Sequence, residues 1–384
     1  MRCLSLAAVI LAGVALFATS AGADDTVELF AAISRAGPNG VGSAEARAAR
    51  DRLAQRGLEI FPQILTAMDT PNPVAANWAR GLYEKILTSE LARPQPNLPR
   101  ELLRQTVRDP RKQGKLRRLV LELLDKLEPE FGKQLLPTLL DDPEFRTDAV
   151  NLAMQLGDQE LAAKHRELAR DAYRKAFQNA RVPAQVSMAA GKLRSVGETG
   201  DVVSHLGFVT DWRLLGPFDA PGTTGFKTTF PPETRVDLQG EFVGQAGKKL
   251  HWQPYHSDSP TGELDLTKAI FSTDEAVAYA YTELEFKPSR PVPEAQVRCG
   301  ADDNCTVWLN GEKVFGREQW LNSSRTDRFI APVRLRSGKN TLLVKICQGP
   351  HHVDPTIGNN WSLQIRICDL SGAGVGLKNA LAKQ

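Results

Sequence analysis

The sequence predicts a protein of two parts, an N-terminal α-helical solenoid followed by an antiparallel β-sandwich of the jelly-roll type. Apolar residues recur with a period near 3.6 through the first half of the 384 residues, as they do on one face of a helix. After Phe208 the spacing changes to the alternation that is typical of half-buried strands. All cysteines except Cys3 fall in the second half. We therefore expect a helical domain at 24–200 and a sandwich at 206–372.

Residues 1–23 have the three parts of a secretory signal peptide. Arg2 precedes the apolar run Leu4–Phe17, and the small residues Ala21–Ala23 close the segment. We expect cleavage before Asp24 and export to the periplasm or the extracellular space. The alternative is an uncleaved membrane anchor, but the apolar run is shorter than the about 20 residues that a membrane span needs. No membrane contact is expected after cleavage.

Proline-bearing turns divide the first half into pairs of helices. Pro73, Pro110 and Pro143 each lie between two segments with helical spacing. The predicted helices are Ile60–Met68, Val74–Leu87, Leu102–Val107, Lys115–Leu127, Phe131–Leu140, Thr147–Leu156, Glu160–Asn179 and Ala184–Val196. Two helices in every 33 to about 47 residues are typical of HEAT, TPR and armadillo solenoids. We therefore expect HEAT- or TPR-like repeats.

The second half contains short alternating runs that are bounded by Gly, Pro, Asn or Asp and predict strands. They are Trp212–Leu215, Val277–Phe286, Gln296–Cys299, Cys305–Leu309, Thr341–Cys347 and Trp361–Ile367. Hairpins are expected at Gly300–Asn304 and at Asn310-Gly311, because Asn-Gly readily adopts positive φ. Residues 373–384 follow the last run and are expected to form a flexible tail.

Motifs in both halves carry a resemblance to a known family. They are Pro62, Pro137 and Asp142-Pro143 in the helical part, and Trp212–Asp219, Val307–Gly311, Gly338-x-Asn340 and Trp361–Asp369 in the second part. Together they resemble exported HEAT-repeat proteins of planctomycete bacteria with a C-terminal galactose-binding-like domain. The resemblance implies a jelly-roll sandwich similar to the sugar-binding domain of family 2 glycosidases. It concerns the fold more than the function.

The sequence argues against catalysis. It contains no His-Glu-x-x-His, no Gly-x-Ser-x-Gly and no phosphate-binding loop, and no pair of carboxylates is singled out, so we expect no enzyme. The run Gly372–Gly376 lacks the spacing of a dinucleotide fingerprint. His351 and His352 are adjacent but have no identifiable third ligand, so no metal site is expected there. Neither half is basic enough to indicate a nucleic-acid partner.

Aromatic and polar residues of the second half are candidates for a binding site. Trp320, Arg325 and Asp327 lie in a polar segment between strands, where an indole ring can stack on a sugar and charged groups can bind hydroxyls. Asp302 and Asp303 are further candidates. With Asn304 they could hold a structural calcium, although short polar residues at a turn more often cap backbone N–H groups. No other cofactor is expected.

Two classes of function remain open. The first is an exported, non-catalytic binding protein whose helical scaffold carries a carbohydrate-binding sandwich, with a polysaccharide as partner. The alternative is a protein–protein interaction scaffold of the cell envelope, with the sandwich as a structural domain. An accessory role in polysaccharide processing is a third alternative. Exposed aromatic residues in the sandwich loops would favour the first class, and an apolar face on the solenoid would favour the second.

The cysteines predict one disulfide. Cys299 and Cys305 flank Gly300–Asn304 and stand directly opposite one another if the flanking strands form a hairpin. Directly opposed residues can be close enough for a disulfide, and export would provide an oxidising compartment. Cys347 and Cys368 are expected to be separate thiols that pack as small apolar groups.

Overall fold

The computed structural model describes residues 17–271, 273–287, 294–320, 323–354 and 356–381, with side chains from residue 25 onward. Helices come first and antiparallel strands follow. The chain divides into two compact units, Met1–Phe145 and Arg146–Gln384. Most of the predicted signal peptide lies outside the described residues. Within them, no helix combines the length and the apolar character needed to cross a membrane.

The first unit is built from helices around one apolar core. Its helices are α1 Phe17–Ser34, α2 Ser43–Ala54, α3 Phe61–Met68, α4 Pro73–Leu91, α5 Arg100–Arg108, α6 Gly114–Leu127 and α7 Phe131–Leu135. The first two were not predicted, and α3 to α6 lie close to their predicted bounds. At the start of α4 the Asn72 side chain accepts hydrogen bonds from the N–H groups of Val74 and Ala75, and Pro73 occupies the first helical position, where its missing N–H costs nothing.

The basic segment before and within α6 is neutralised inside the first unit. Arg117 is buried, forms an ion pair with Asp142 at 2.7 Å and donates a hydrogen bond to the Val107 carbonyl at 2.8 Å. Lys112 pairs with Asp69 at 2.9 Å. These carboxylates come from neighbouring turns rather than from the acidic residues that follow on the same helix. Arg117 and Lys112 therefore form structural ion pairs within the first unit.

The second unit begins with four helices. They are α8 Arg146–Ala162, α9 Arg166–Asn179, α10 Pro183–Ser195 and α11 Val202–Leu206. The predicted helix Glu160–Asn179 begins later, because the chain reverses between α8 and α9 at Lys164, whose φ is 66°. The expected domain boundary near residue 200 separates helices from strands, whereas the compact units divide at Phe145. The four helices thus belong to the same unit as the strands.

Antiparallel strands make up the rest of the second unit. They are β1 Asp211–Asp219, β2 Phe242–Val243, β3 Lys249–Leu250, β4 Gln253–His256, β5 Leu264–Asp265, β6 Ala276–Phe286, β7 Ala295–Asp302, β8 Asn304–Leu309, β9 Glu312–Arg317, β10 Phe329–Val333, β11 Gly338–Gln348, β12 Ser362–Asp369 and β13 Lys378–Asn379, with the one-turn helices α12 Pro231–Thr234 and α13 Leu266–Ala269 between them. All six predicted strands are present.

Two sheets share the main β core. The larger has the order β4-β1-β6-β11-β8-β9, with β13 also paired to β6, and the smaller has the order β10-β7-β12-β5. Residues from both sheets form one apolar cluster, which includes Val297, Val344, Trp361 and Leu363. Trp308 lies instead in a second cluster with Phe218, on the opposite face of the larger sheet. A further strand pair, β2 with β3, stands apart.

The link at 300–304 is not the hairpin that the sequence predicts. Strand β7 belongs to the smaller sheet and β8 to the larger, so Cys299 and Cys305 are not cross-strand partners. Cys299 pairs instead with Phe329 and Ile365. Both thiols are free and buried, as are those of Cys347 and Cys368. The Cys305 thiol nevertheless contacts that of Cys299 through a hydrogen bond, so the disulfide between them stays a prediction.

The segment after β12 is ordered as far as it is described, so the expectation of a flexible tail is corrected for residues 373–381. Strand β13 pairs with β6, and the Gly374 N–H donates to the His205 carbonyl at 2.9 Å. Gly207 makes a similar close contact. Its carbonyl accepts a hydrogen bond from the Ile367 N–H, its φ is 75°, and a Cβ there would lie 2.2 Å from the Ile367 carbonyl oxygen. Only glycine fits this position.

A buried arginine connects several parts of the second unit. Arg366, in β12, is fully buried. Its Nε and Nη2 donate to the two carboxylate oxygens of Asp327 at 2.7 and 2.6 Å. Its Nη1 donates to the carbonyls of Leu206, at the end of α11, and of Gly372, beyond β12. One guanidinium thus joins a loop, a helix end and the C-terminal turn.

We predict that Arg366→Leu lowers the free energy of unfolding by about 3–5 kcal/mol, because it leaves Asp327 half-buried without its main partner. Urea denaturation of the full chain measures this. Arg336→Leu removes an exposed arginine and should change stability by no more than about 0.5 kcal/mol. A loss of less than about 1 kcal/mol for Arg366→Leu would contradict the central role of this side chain.

Candidate functional site

Three chain segments meet at one end of the two sheets, which we call the Asp302 end. They are the link Asp302–Asn304 between β7 and β8, the described residues 318–320 and 323–328 between β9 and β10, and the described residues 349–354 and 356–361 between β11 and β12. The strand registers bring them together, because Asp302 pairs with Ser362, Asn304 with Cys347, and Cys305 with Arg317. Most of the candidate residues from the sequence lie here.

The carboxyl groups of Asp302 and Asp303 form the centre of this end. Asp303 is buried, and its Oδ2 accepts a hydrogen bond from the Gly349 N–H at 2.9 Å. Its backbone N–H donates to the Cys347 carbonyl at 3.1 Å. The peptide bond between the two residues is cis, and their carboxyl groups hydrogen-bond to each other. Asp303 is therefore held in place by its hydrogen bonds, while Asp302 is only half-buried and can be reached from solvent.

The surroundings of Asp302 favour its protonated form. Burial, followed by the negative charge of Asp303 and the hydrogen bond between the two carboxyls, raises the pKa of Asp302 to about 7. The Arg328 charge and the Ser324 N–H oppose this rise without cancelling it. Near neutral pH the Asp302 carboxyl thus carries a proton for part of the time.

Trp320 lies beside this pair but is not a freely exposed platform. The ring is half-buried and packs against the cluster that contains Phe218. Its Nε1 donates to Glu318 at 3.1 Å. A Cβ at Gly349 would lie 2.9 Å from the ring and 2.8 Å from Asp303 Oδ2, so Trp320 and Asp303 contact the same glycine. One face of the indole supports the site while part of the ring remains accessible.

Arg325 and Asp327 have different roles in the loop. Arg325 is exposed, while its backbone carbonyl lies so close to Gly300 that a Cβ there would be 2.0 Å away. Asp327 is bound by Arg366 and, at 3.3 Å, by Arg298. Burial acts to raise the pKa of Asp327, but these arginines outweigh it and lower the pKa. Asp327 therefore positions the loop, and its carboxylate oxygens are already engaged by Arg366 and Arg298.

The described residues contain no group of three or more His, Cys, Asp or Glu side chains that could hold a metal ion. His351 lies 3.7 Å from Asp274, and His352 accepts a hydrogen bond from the Asp354 N–H. Asp302 and Asp303 are oxygen ligands of the kind that calcium prefers, but calcium takes six to about eight oxygens. Protein carbonyls, water or ligand hydroxyls would have to complete a calcium site.

Several residues of the Asp302 end were not found from the sequence. Ser324 and Arg328 lie beside the carboxyl pair only because distant loops meet, and no local pattern marks them. The buried amides of Asn304 and Gln348 have no hydrogen-bond partner among the described residues. Asn304 was considered only as a calcium ligand, and Gln348 was not singled out. In the sequence, the only local sign of this site is Gly349, the glycine that directly follows strand β11.

No family model matches the chain, and no curated protein matches it, so the expected relation to HEAT and galactose-binding-like families has no support from sequence comparison. Solved structures give distant similarities only. An anti-sigma factor domain-containing protein is 12% identical with a TM-score of 0.24 and covers 44% of this chain. The chain spans 46% of that protein's length.

Two PA14 domains show similarities of the same order. A PA14 sugar-binding domain from an RTX adhesin is 12% identical over 45% of this chain and 97% of its own, with a TM-score of 0.23. The PA14 domain of the MpAFP antifreeze protein is 13% identical over 44% of this chain and 70% of its own, with a TM-score of 0.21. We infer nothing about this chain from likenesses at these scores.

The raised pKa of Asp302 predicts a pH-dependent stability. Between about pH 4 and about pH 7 the folded chain holds a proton that the unfolded chain has lost, so the free energy of unfolding due to this group falls as pH rises. Asp302→Asn stays neutral and should gain stability relative to the wild type between pH 4.5 and about 7.5. Urea denaturation in the presence of a chelator measures the difference. A difference that is constant across this range would contradict the prediction.

Proposed function

We propose that the chain is an exported, non-catalytic binding protein in which a helical-repeat scaffold carries a jelly-roll β-sandwich that binds carbohydrate at the Asp302 end. The observation that carries the proposal is the hydrogen-bonded pair Asp302 and Asp303 beside a half-buried indole, Trp320, and an exposed guanidinium, Arg325. These are complementary to a sugar, which offers hydroxyl donors and acceptors and an apolar ring face.

Each group has a distinct part in the proposed complex. Half-exposed Asp302 accepts hydrogen bonds from sugar hydroxyls, while Asp303, held by the Gly349 N–H, fixes the position of its neighbour. Arg325 donates hydrogen bonds from the rim, and the accessible edge of Trp320 contacts the sugar ring. A calcium ion bound by the two carboxylates would add charge neutralisation and open coordination positions for hydroxyl groups.

The same geometry argues against glycoside hydrolysis. Glycosidases hold their two carboxyl groups about 5–9.5 Å apart so that substrate, and in inverting enzymes water, fits between them. The carboxyl groups of Asp302 and Asp303 are within hydrogen-bonding distance of each other. This arrangement supports recognition of hydroxyl groups and leaves no room for the glycosidic bond.

Export is proposed on the sequence of residues 1–23 alone.

A groove in the first unit favours the second candidate, a protein-interaction scaffold. The groove has a volume of about 400 Å³. Apolar side chains such as Met68, Leu116 and Leu119 line it together with polar ones such as Asn77 and Arg80. Such a groove can receive an apolar side chain of a partner protein. This alternative becomes the preferred one if the full chain binds no polysaccharide.

We predict that Asp302→Asn abolishes or strongly weakens polysaccharide binding, because it replaces one acceptor oxygen of the more exposed carboxyl group with an NH2 group, which cannot accept a hydrogen bond from a sugar hydroxyl. A glycan array with the full mature chain identifies the polysaccharide, and titration calorimetry of wild type and variant against it, with calcium and with EGTA, measures the loss. Asp258→Asn is the control, because the Asp258 side chain is fully exposed elsewhere in the unit. Equal affinities for the wild type and Asp302→Asn would place binding elsewhere.

A further inference from the structure

The basic residues of the Asp302 end lack acidic partners. Arg317 ends β9, and Arg325 and Arg328 lie in the loop that follows. In the described part of the chain, no carboxylate oxygen lies within 4.0 Å of any of the three guanidinium groups. Arg317 and Arg325 are exposed, and Arg328 is half-buried and donates to the Ser323 carbonyl at 2.8 Å.

The acidic residues of the same segment are already engaged. Glu318 pairs with Lys227 at 3.2 Å and accepts the Trp320 indole N–H. Asp327 is held by Arg366. These are the only acids between positions 317 and 328. The segment therefore presents the positive charges of Arg317 and Arg325 to solvent.

Two of these arginines, Arg317 and Arg328, share one aromatic neighbour, and the loop that carries Arg325 and Arg328 packs beside the carboxyl pair. The guanidinium carbons of Arg317 and Arg328 lie 5.6 and 5.4 Å from the centroid of the Phe329 ring. Phe329 itself stacks on Phe315 with 4.9 Å between centroids, which fixes the ring. The charge of Arg328 reaches Asp302, and the Arg325 backbone packs on Gly300, two residues before Asp302.

We propose that the Asp302 end recognises an anionic polysaccharide, whose carboxylate or sulfate groups bind Arg317, Arg325 and Arg328 while its hydroxyl groups bind the aspartates. This inference rests on the proposed function and names its substrate class. Guanidinium groups are well suited to the task, because their N–H groups match the two oxygens of a carboxylate or sulfate.

The test compares polymers that differ only in charge. Polygalacturonate and its methyl ester share one sugar, as do dextran sulfate and dextran. The full mature chain is expected to bind one of the charged polymers at least about fivefold more tightly than its neutral counterpart. This preference should decrease as sodium chloride rises from about 0.05 to about 0.5 M, since exposed ion pairs are screened. The polygalacturonate and dextran sulfate arms distinguish a carboxylate from a sulfate ligand.

Two matched double variants test whether Arg317 and Arg325 cause the preference for a charged polymer. Arg317→Gln with Arg325→Gln replaces two exposed side chains and should remove the preference for the charged polymer without loss of stability. Arg334→Gln with Arg336→Gln makes the same charge change in exposed residues at the far end of β10 and should leave the preference intact. An equal loss in both double variants, or equal affinity of the wild type for charged and neutral polymers, would overturn the inference and leave carbohydrate binding in place. Failure to bind any of the four polymers or any glycan would overturn both proposals.

Discussion

The arrangement of the second unit depends on satisfying one buried cation, the guanidinium of Arg366. Removing such a charge from water costs several kcal/mol unless it is paired and fully hydrogen-bonded. Arg366 achieves this with the Asp327 carboxylate and with carbonyls of Leu206 and Gly372. Because these partners come from a loop, a helix end and the C-terminal turn, all three must take up fixed positions. The loop held by Asp327 also contains Ser324 and Arg328, which lie beside Asp302, so the cation deep in the unit determines the geometry of the site at its surface.

The Asp302 end has the opposite energetic character. Two carboxyl groups are placed side by side and partly removed from water, which raises the pKa of Asp302 and costs stability whenever both are ionised. Clusters of this kind are concentrated at functional sites, because an unfavourable arrangement in the unbound protein is relieved by a ligand. The packing of Trp320 and Asp303 on Gly349 keeps the pair in place. The well-satisfied core around Arg366 thus holds in place an unfavourable carboxyl pair at the surface. We regard this combination as the physical basis of the proposed binding function.

The change from helices to strands, the helices α3 to α6 and the six predicted strands follow from local patterns of apolar residues. The partners of charged residues do not. Asp327 resembles a surface ligand in sequence, and its role became clear only with Arg366, 39 residues away. The link between β7 and β8 reads as a hairpin because an alternating pattern does not tell which sheet a strand joins. Strands β9 and β10 were missed because they lie at sheet edges, where Lys313, Gly316 and Pro332 interrupt the alternation. Asp302 and Asp303 were named from the sequence, but their mutual hydrogen bond was not foreseen.

The central claim is that Asp302 and Asp303 form one coupled carboxyl pair that contacts the sugar. Carbon-13 NMR of the carboxyl groups of labelled aspartate, recorded across pH with and without a bound oligosaccharide, tests this most directly. Asp302→Asn and Asp303→Asn assign the two signals. The account predicts that one signal of the unbound protein titrates near pH 7, and that the oligosaccharide shifts both signals and changes this titration. Two signals that titrate near pH 4, as in ordinary aspartates, and do not respond to the oligosaccharide would contradict it.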